Sequence, residues 1–148
     1  RQSGKKVIIV GNGGSAAMAS HVAVDLTKAA GIRAVNFNEA DLITCFANDY
    51  GYENVFSRQL EANASEKDMF LAITTTGNSP NLTKALQFCK ANKIKTILFT
   101  GKDGGIAKSM ADHVIIAPGV STATIQEIHI LLGHSMCEFI ERELFPQN

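Results

Sequence analysis

The stretch VIIVGNGGSAAMASHVAVDL, residues 7–26, decides how this chain folds. A continuous β-branched run over 6–10 predicts a strand buried on both faces. It ends in Gly11-Asn12-Gly13-Gly14-Ser15, and a helical pattern over 15–30 opens directly behind it, with Gly31 as its stop signal. A buried strand that turns at once into a helix is the repeating unit of a parallel sheet, and the rest of the chain repeats it. Strands are predicted over 34–37, 68–74, 95–100 and 113–117. Helices are predicted over 41–48, 54–64, 81–92, a short stretch ending at 111, and one long run over 121–144. The alternation implies an α/β fold in which a five-stranded parallel sheet is doubly wound and covered by helices on both faces. Residues 1–148 show no repeat, linker or low-complexity tract and are expected to form a single domain.

The bulk composition narrows the function. The 148 residues carry 14 basic and 14 acidic side chains, with no Lys/Arg stripe, so nothing argues for nucleic acid as a partner. No apolar run is long enough for a membrane span, and no secretory signal is recognisable, so a cytoplasmic protein is expected. Cys45, Cys89 and Cys137 are odd in number and far apart, which argues against a disulfide framework or a structural zinc site. Each sits among apolar neighbours and is expected in the core. The chain opens on Arg1-Gln2-Ser3-Gly4 directly before a strand, so an upstream segment is expected.

In doubly wound sheets ligands bind outside the carboxyl ends of the strands. Three strands end there in suggestive loops. Thr74-Thr75-Thr76-Gly77-Asn78-Ser79 offers four hydroxyls, and Ser79-Pro80 then opens a helix with a favoured N-cap and a favoured first residue. Free N–H groups and the positive end of the helix dipole make this a ready anion site, although the threonines also suit a plain strand end. GNGGS is neither a dinucleotide-binding fingerprint nor a P-loop. Its glycines, Gly13 among them, still let a ligand approach the backbone closely. The third loop, Thr100-Gly101-Lys102-Asp103-Gly104-Gly105, reads as a turn.

Two helices carry polar residues of note. His21 and Asp25 are four apart and share a helix face, which suits a base with its partner, two metal ligands or a surface hydrogen bond. The last helix reads IQEIHILLGHSMCEFIE. Gln126 and His134 lie about 80° apart around its axis and roughly 12 Å along it, so both can line one groove. His129 faces elsewhere. A buried polar trio in so apolar a helix needs partners, supplied by a ligand or by another subunit.

Together GNGGS with a His six residues on, ANDYGYENVFSRQ, TTTGNS, TGKDGG and IQEIHILLGH resemble the sugar isomerase (SIS) domain family, most closely the phosphoheptose isomerases. The resemblance covers essentially the whole chain. It implies a flavodoxin-like three-layer sandwich, an additional N-terminal helical segment, and a homotetramer with sites shared between subunits. It implies conversion of sedoheptulose 7-phosphate to a mannoheptose 7-phosphate through an enediol. By position Thr74, Thr75, Thr76 and Ser79 would hold the phosphate, with Asn12, Gly13, Ser15 and Gln126 beside the sugar and Asp49 on its hydroxyls. His134 and Asp25 would move protons, and His21, Asp25, Gln126 and His134 match the set that binds zinc in some members. Three positions depart from the family pattern: Asp25 stands for the usual glutamate, Ala29 for an arginine, and Ala123-Thr124 for an acidic–basic pair. The family also implies two alternatives, another sugar phosphate as ligand or a tetrameric protein that binds the bacterial replication initiator.

Overall fold

A computed structural model describes residues 4–146. Five parallel strands, β1 (Val7–Gly11), β2 (Ala34–Asn36), β3 (Met69–Ile73), β4 (Lys95–Gly101) and β5 (His113–Ala117), form one sheet in the order β2-β1-β3-β4-β5. This is the flavodoxin-like order expected above. The helices are α1 (Gly14–Lys28), α2 (Ala40–Tyr50), α3 (Val55–Asn63), α4 (Pro80–Ala91) and α5 (Thr122–Leu144). The predicted break between α2 and α3 is a one-turn 3₁₀ segment, Tyr52–Asn54, and the short helix before β5 is another, Ile106–Ser109.

Alternation along the strands divides the core in two. Ile8 and Val10 of β1, with Phe70 and Leu98, face α3 and α4, where Phe56, Leu60, Leu82 and Leu86 cover them. Ile9, Leu71, Ile73 and Phe99 face the other way and are covered by Ala19, Val22 and Leu26 of α1 and by Cys137 of α5. So α1 leaves β1 toward one face of the sheet, while α4 leaves β3 toward the other. The two neighbouring strands thus part at their carboxyl ends.

Helix α5 is held by a stripe of Ile125, His129, Gly133 and Cys137, one residue per turn. At Gly133 a side chain would meet Val22 Cγ2 at 2.6 Å, so glycine is what lets α5 lie close on α1. His129 is buried and donates Nε2–H to the Thr100 carbonyl at 2.9 Å, which ties α5 to β4. Burial lowers its pKa against the opposing pull of that carbonyl, which keeps the imidazole neutral. The buried trio expected on α5 is therefore a single buried histidine. Gln126 is half-buried and His134 exposed, because they lie on the flanks of the stripe.

Two of the three cysteines are core residues as expected. Burial pushes the Cys89 thiol up to about 12 and the Cys137 thiol up to about 11, the latter with help from the Asp25 charge. Cys45 corrects the expectation. It is exposed, because α2 buries none of its residues and touches the core only through Phe46 and Ala47. Among the described residues no helix is long and apolar enough to cross a membrane.

At the amino end of the sheet, the buried Asp68 carboxylate gathers the Lys6 backbone N–H at 3.0 Å, the Lys6 ammonium at 2.6 Å and the Ser65 N–H at 2.9 Å. Burial works against its ionisation, but these donors outweigh it and hold its pKa below the usual value of 3.8. A depressed carboxyl stabilises the fold fully above its ordinary value and loses that contribution as pH falls through the folded value. Asp68→Asn is expected to cost about 1.5–3 kcal/mol at pH 7 and to flatten the acid limb of the stability curve, measured by denaturant titration from pH 7 to 3. Unchanged stability and an unchanged acid limb would contradict this role.

Candidate active site

Where β1 and β3 part, a cleft of about 300 Å³ opens at the carboxyl edge of the sheet. Asn12 and Ser15 line it from the first loop, Thr74, Thr75, Thr76 and Ser79 from the second, and Thr122 and Gln126 from α5. No charged side chain lines it. Instead α1, α4 and α5 each contribute residues from their first two turns, so their unpaired N–H groups and dipole ends surround the same space. Dipoles and hydroxyls so arranged suit an oxyanion.

The hydroxyls are set for it. Thr74 Oγ1 accepts from the Gly77 N–H and Thr76 Oγ1 from the Asn78 N–H, both at 3.3 Å. Each hydroxyl so occupied as an acceptor keeps its own proton for a ligand. Ser79 is the N-cap residue of α4, as its sequence position predicted, but its side chain makes no capping hydrogen bond. Its hydroxyl is free to face the cleft. Gln126 lies with its amide against the Gly14 backbone at the start of α1.

Asn12 belongs to a network that the sequence did not reveal. It exchanges amide hydrogen bonds with Asn81, Nδ2 to Oδ1 at 3.0 Å and 2.9 Å, and its Oδ1 also accepts from the Tyr52 hydroxyl at 3.1 Å. Asn81 is 1% exposed and joins the first loop to α4. Nothing in its local sequence separates it from any first-turn asparagine. Thr122 was likewise unmarked, although its place at the start of α5 behind β5 was a usable signal. Asp49 is not brought to this cleft. It closes the exposed helix α2, accepts from Asn48 Nδ2 at 2.8 Å and lies 3.8 Å from Cys45 Sγ.

Two turns along α1, about 10 Å from the cleft by helical rise, lies a second cluster. His21 Nε2 and His134 Nε2 are 2.8 Å apart, with the rings edge to face at 74°. Asp25 Oδ2 is 3.3 Å from His21 Nε2 and 3.7 Å from His134 Nε2. Two ring nitrogens this close need a hydrogen or a cation between them. The donor set fits zinc: two nitrogens and a carboxylate oxygen, all within 4.8 Å of one another. Tetrahedral ligands about 2.0–2.1 Å from a zinc ion stand about 3.3 Å apart, close to the spacings seen. Three of the four expected ligands therefore converge here. Gln126 lies one end of α1 away, against Gly14.

Comparison with known proteins shows the family of the chain. The SIS domain family model matches residues 2–132. The phosphoheptose isomerase of Fusobacterium nucleatum is 43% identical over 98% of this chain and 77% of its own length. That of Leptospira biflexa is 48% identical over 91% of this chain and 73% of its own. The structure of phosphoheptose isomerase from Neisseria gonorrhoeae superposes with a TM-score of 0.89 at 38% identity, over 95% of this chain and 78% of that one. The chain belongs to the SIS domain family, on its phosphoheptose isomerase branch.

Proposed function

We propose that this chain is an aldose–ketose isomerase that converts sedoheptulose 7-phosphate to D-glycero-D-manno-heptose 7-phosphate. The observation that carries the reading is the pairing of two unlike sites on α1 and α5. A neutral oxyanion cleft lies at the helix starts, and a His–Asp–His cluster lies two turns along. The phosphate sits among Thr74, Thr75, Thr76 and Ser79, and Asn12, Gly13, Ser15 and Gln126 flank the sugar. The extended heptose chain then carries C1 and C2 to the cluster.

Isomerisation moves one proton between C1 and C2 through an enediol and shifts the carbonyl from C2 to C1. Asp25 Oδ2 faces the two imidazoles, which leaves Oδ1 to take the C1 proton and return it at C2. His134 supplies a proton to the C2 carbonyl oxygen as the enediol forms and recovers the one released from the C1 hydroxyl. His21, Asp25 and His134 would hold zinc, which would supply Lewis-acid stabilisation of charge on the substrate oxygens, while Gln126, the fourth expected ligand, lies apart in the cleft. Asp25 reaches one methylene less than the family's glutamate.

The working unit is a homotetramer with sites shared between subunits. Val24 and Leu131, 57% and 62% exposed, stand three residues along their helices from His21 and His134, so the cluster opens onto an apolar face. In such an assembly the exposed Asp49 reaches a neighbouring subunit's sugar. A cytoplasmic location suits the three free cysteines.

His134→Ala is expected to lower kcat by roughly 10²–10⁴-fold, with and without added zinc, while KM changes little. NMR of sedoheptulose 7-phosphate turnover reads this directly, and undiminished turnover would remove His134 from the mechanism. Ser79→Ala is expected to raise KM about tenfold and weaken inorganic phosphate binding in step. Asp25→Glu is expected to preserve or raise kcat. A folded but inactive Asp25→Glu enzyme would mean that the site is built around aspartate for a different sugar phosphate.

A further inference from the structure

The third loop, TGKDGG, has no part in the mechanism above, yet it is locked to the phosphate loop. Strands β3 and β4 are neighbours, and the Thr74 N–H donates to the Phe99 carbonyl at 2.9 Å, so both loops leave the sheet side by side. Beyond that point the Ala107 N–H donates to the Gly77 carbonyl at 2.9 Å. The Ile106 N–H donates to Asn78 Oδ1 at 3.0 Å. The two backbones touch so closely that a methyl on Gly77 would overlap the Gly104 carbonyl oxygen, and one on Gly105 would overlap the Thr76 carbonyl oxygen. Both glycines also have positive φ, +70° and +58°.

Asn78 is the joint. Its backbone N–H donates to Thr76 Oγ1 within its own loop, while its carboxamide oxygen takes the first free N–H of the 3₁₀ turn in the next loop. Its sequence neighbours on that loop, Thr76 and Ser79, line the cleft, but Asn78, Gly104 and Gly105 do not. These three therefore act on a ligand only through the shape of the loop.

We propose that Asn78 is a positioning residue for the phosphate group. It clamps the TTTGNS loop against the Gly104–Gly105 turn, and so sets the spacing between the Thr76 and Ser79 donors. The inference rests on the reading of that loop as the phosphate site. In a cleft with no cationic side chain, oxyanion affinity depends on several donors converging, and a misplacement near 1 Å is costly. Loosening the clamp weakens binding of the phosphate end while leaving the His–Asp–His cluster, on other helices, intact.

The test compares Asn78→Ala, Gly105→Ala and Ser79→Ala in the whole chain. It measures KM and kcat for sedoheptulose 7-phosphate, titration with inorganic phosphate, and Tm. Asn78→Ala is expected to raise KM and the phosphate Kd about five- to tenfold, with kcat within about twofold of the parent. Gly105→Ala, which touches no ligand, is expected to move KM and Kd in the same direction. If Asn78→Ala lowers Tm but leaves KM and phosphate affinity within about twofold, Asn78 is only a cap on the neighbouring turn and the proposal falls. If Ser79→Ala weakens phosphate while Asn78→Ala does not, the clamp alone is refuted. If neither changes phosphate affinity, the phosphate-loop reading fails and takes the clamp with it.

Discussion

The close packing of α5 on α1 is the constraint on which the candidate chemistry depends. His21 and Asp25 come from one helix and His134 from the other, and their Nε2 atoms meet at 2.8 Å only because Gly133 admits Val22 against the α5 backbone. The register of that contact is fixed from the sheet side by His129 on the Thr100 carbonyl. A buried imidazole with a lowered pKa stays neutral and can serve as a fixed donor rather than a switch. An apolar residue there would fill the space without defining which turn of α5 lies over β4.

The two halves of the site follow different electrostatic rules. The His–Asp–His cluster concentrates titratable donors at an exposed edge, where a proton or a cation can exchange. The cleft contains no formal charge and relies on the ends of three helices and on hydroxyls whose lone pairs are already engaged. Dipoles act over short range and need alignment, so such a site discriminates by shape. This is why the loops around it are braced so heavily: Asn12 to Asn81 and Tyr52 on one side, Asn78 and Gly77 to the 3₁₀ turn on the other.

Much of this was legible in the residues themselves. Strand and helix periods placed all five strands and the long last helix within a residue or two, because buried parallel strands and amphipathic helices write distinct repeats into a chain. The carboxyl-end rule singled out GNGGS and TTTGNS, and residues of both loops line the cleft at that edge of the sheet. Reading failed where burial depends on the whole. Cys45 has apolar neighbours but sits on a helix that buries nothing, and Gln126 and His134 flank the buried stripe of α5 instead of joining His129 within it.

By itself, then, the sequence determined the layered α/β architecture, the loops at the strand ends, and the pairing of His21 with Asp25, since each follows from local periodicity or from a spacing of one helical turn. Only the tertiary structure decided that Gln126 stands apart from the His21, Asp25 and His134 set that the resemblance implied, and that Asn81, Tyr52 and Asn78 hold the loops. Contacts between distant segments depend on how closely two backbones approach, and that distance is set by packing in three dimensions, which no local pattern encodes.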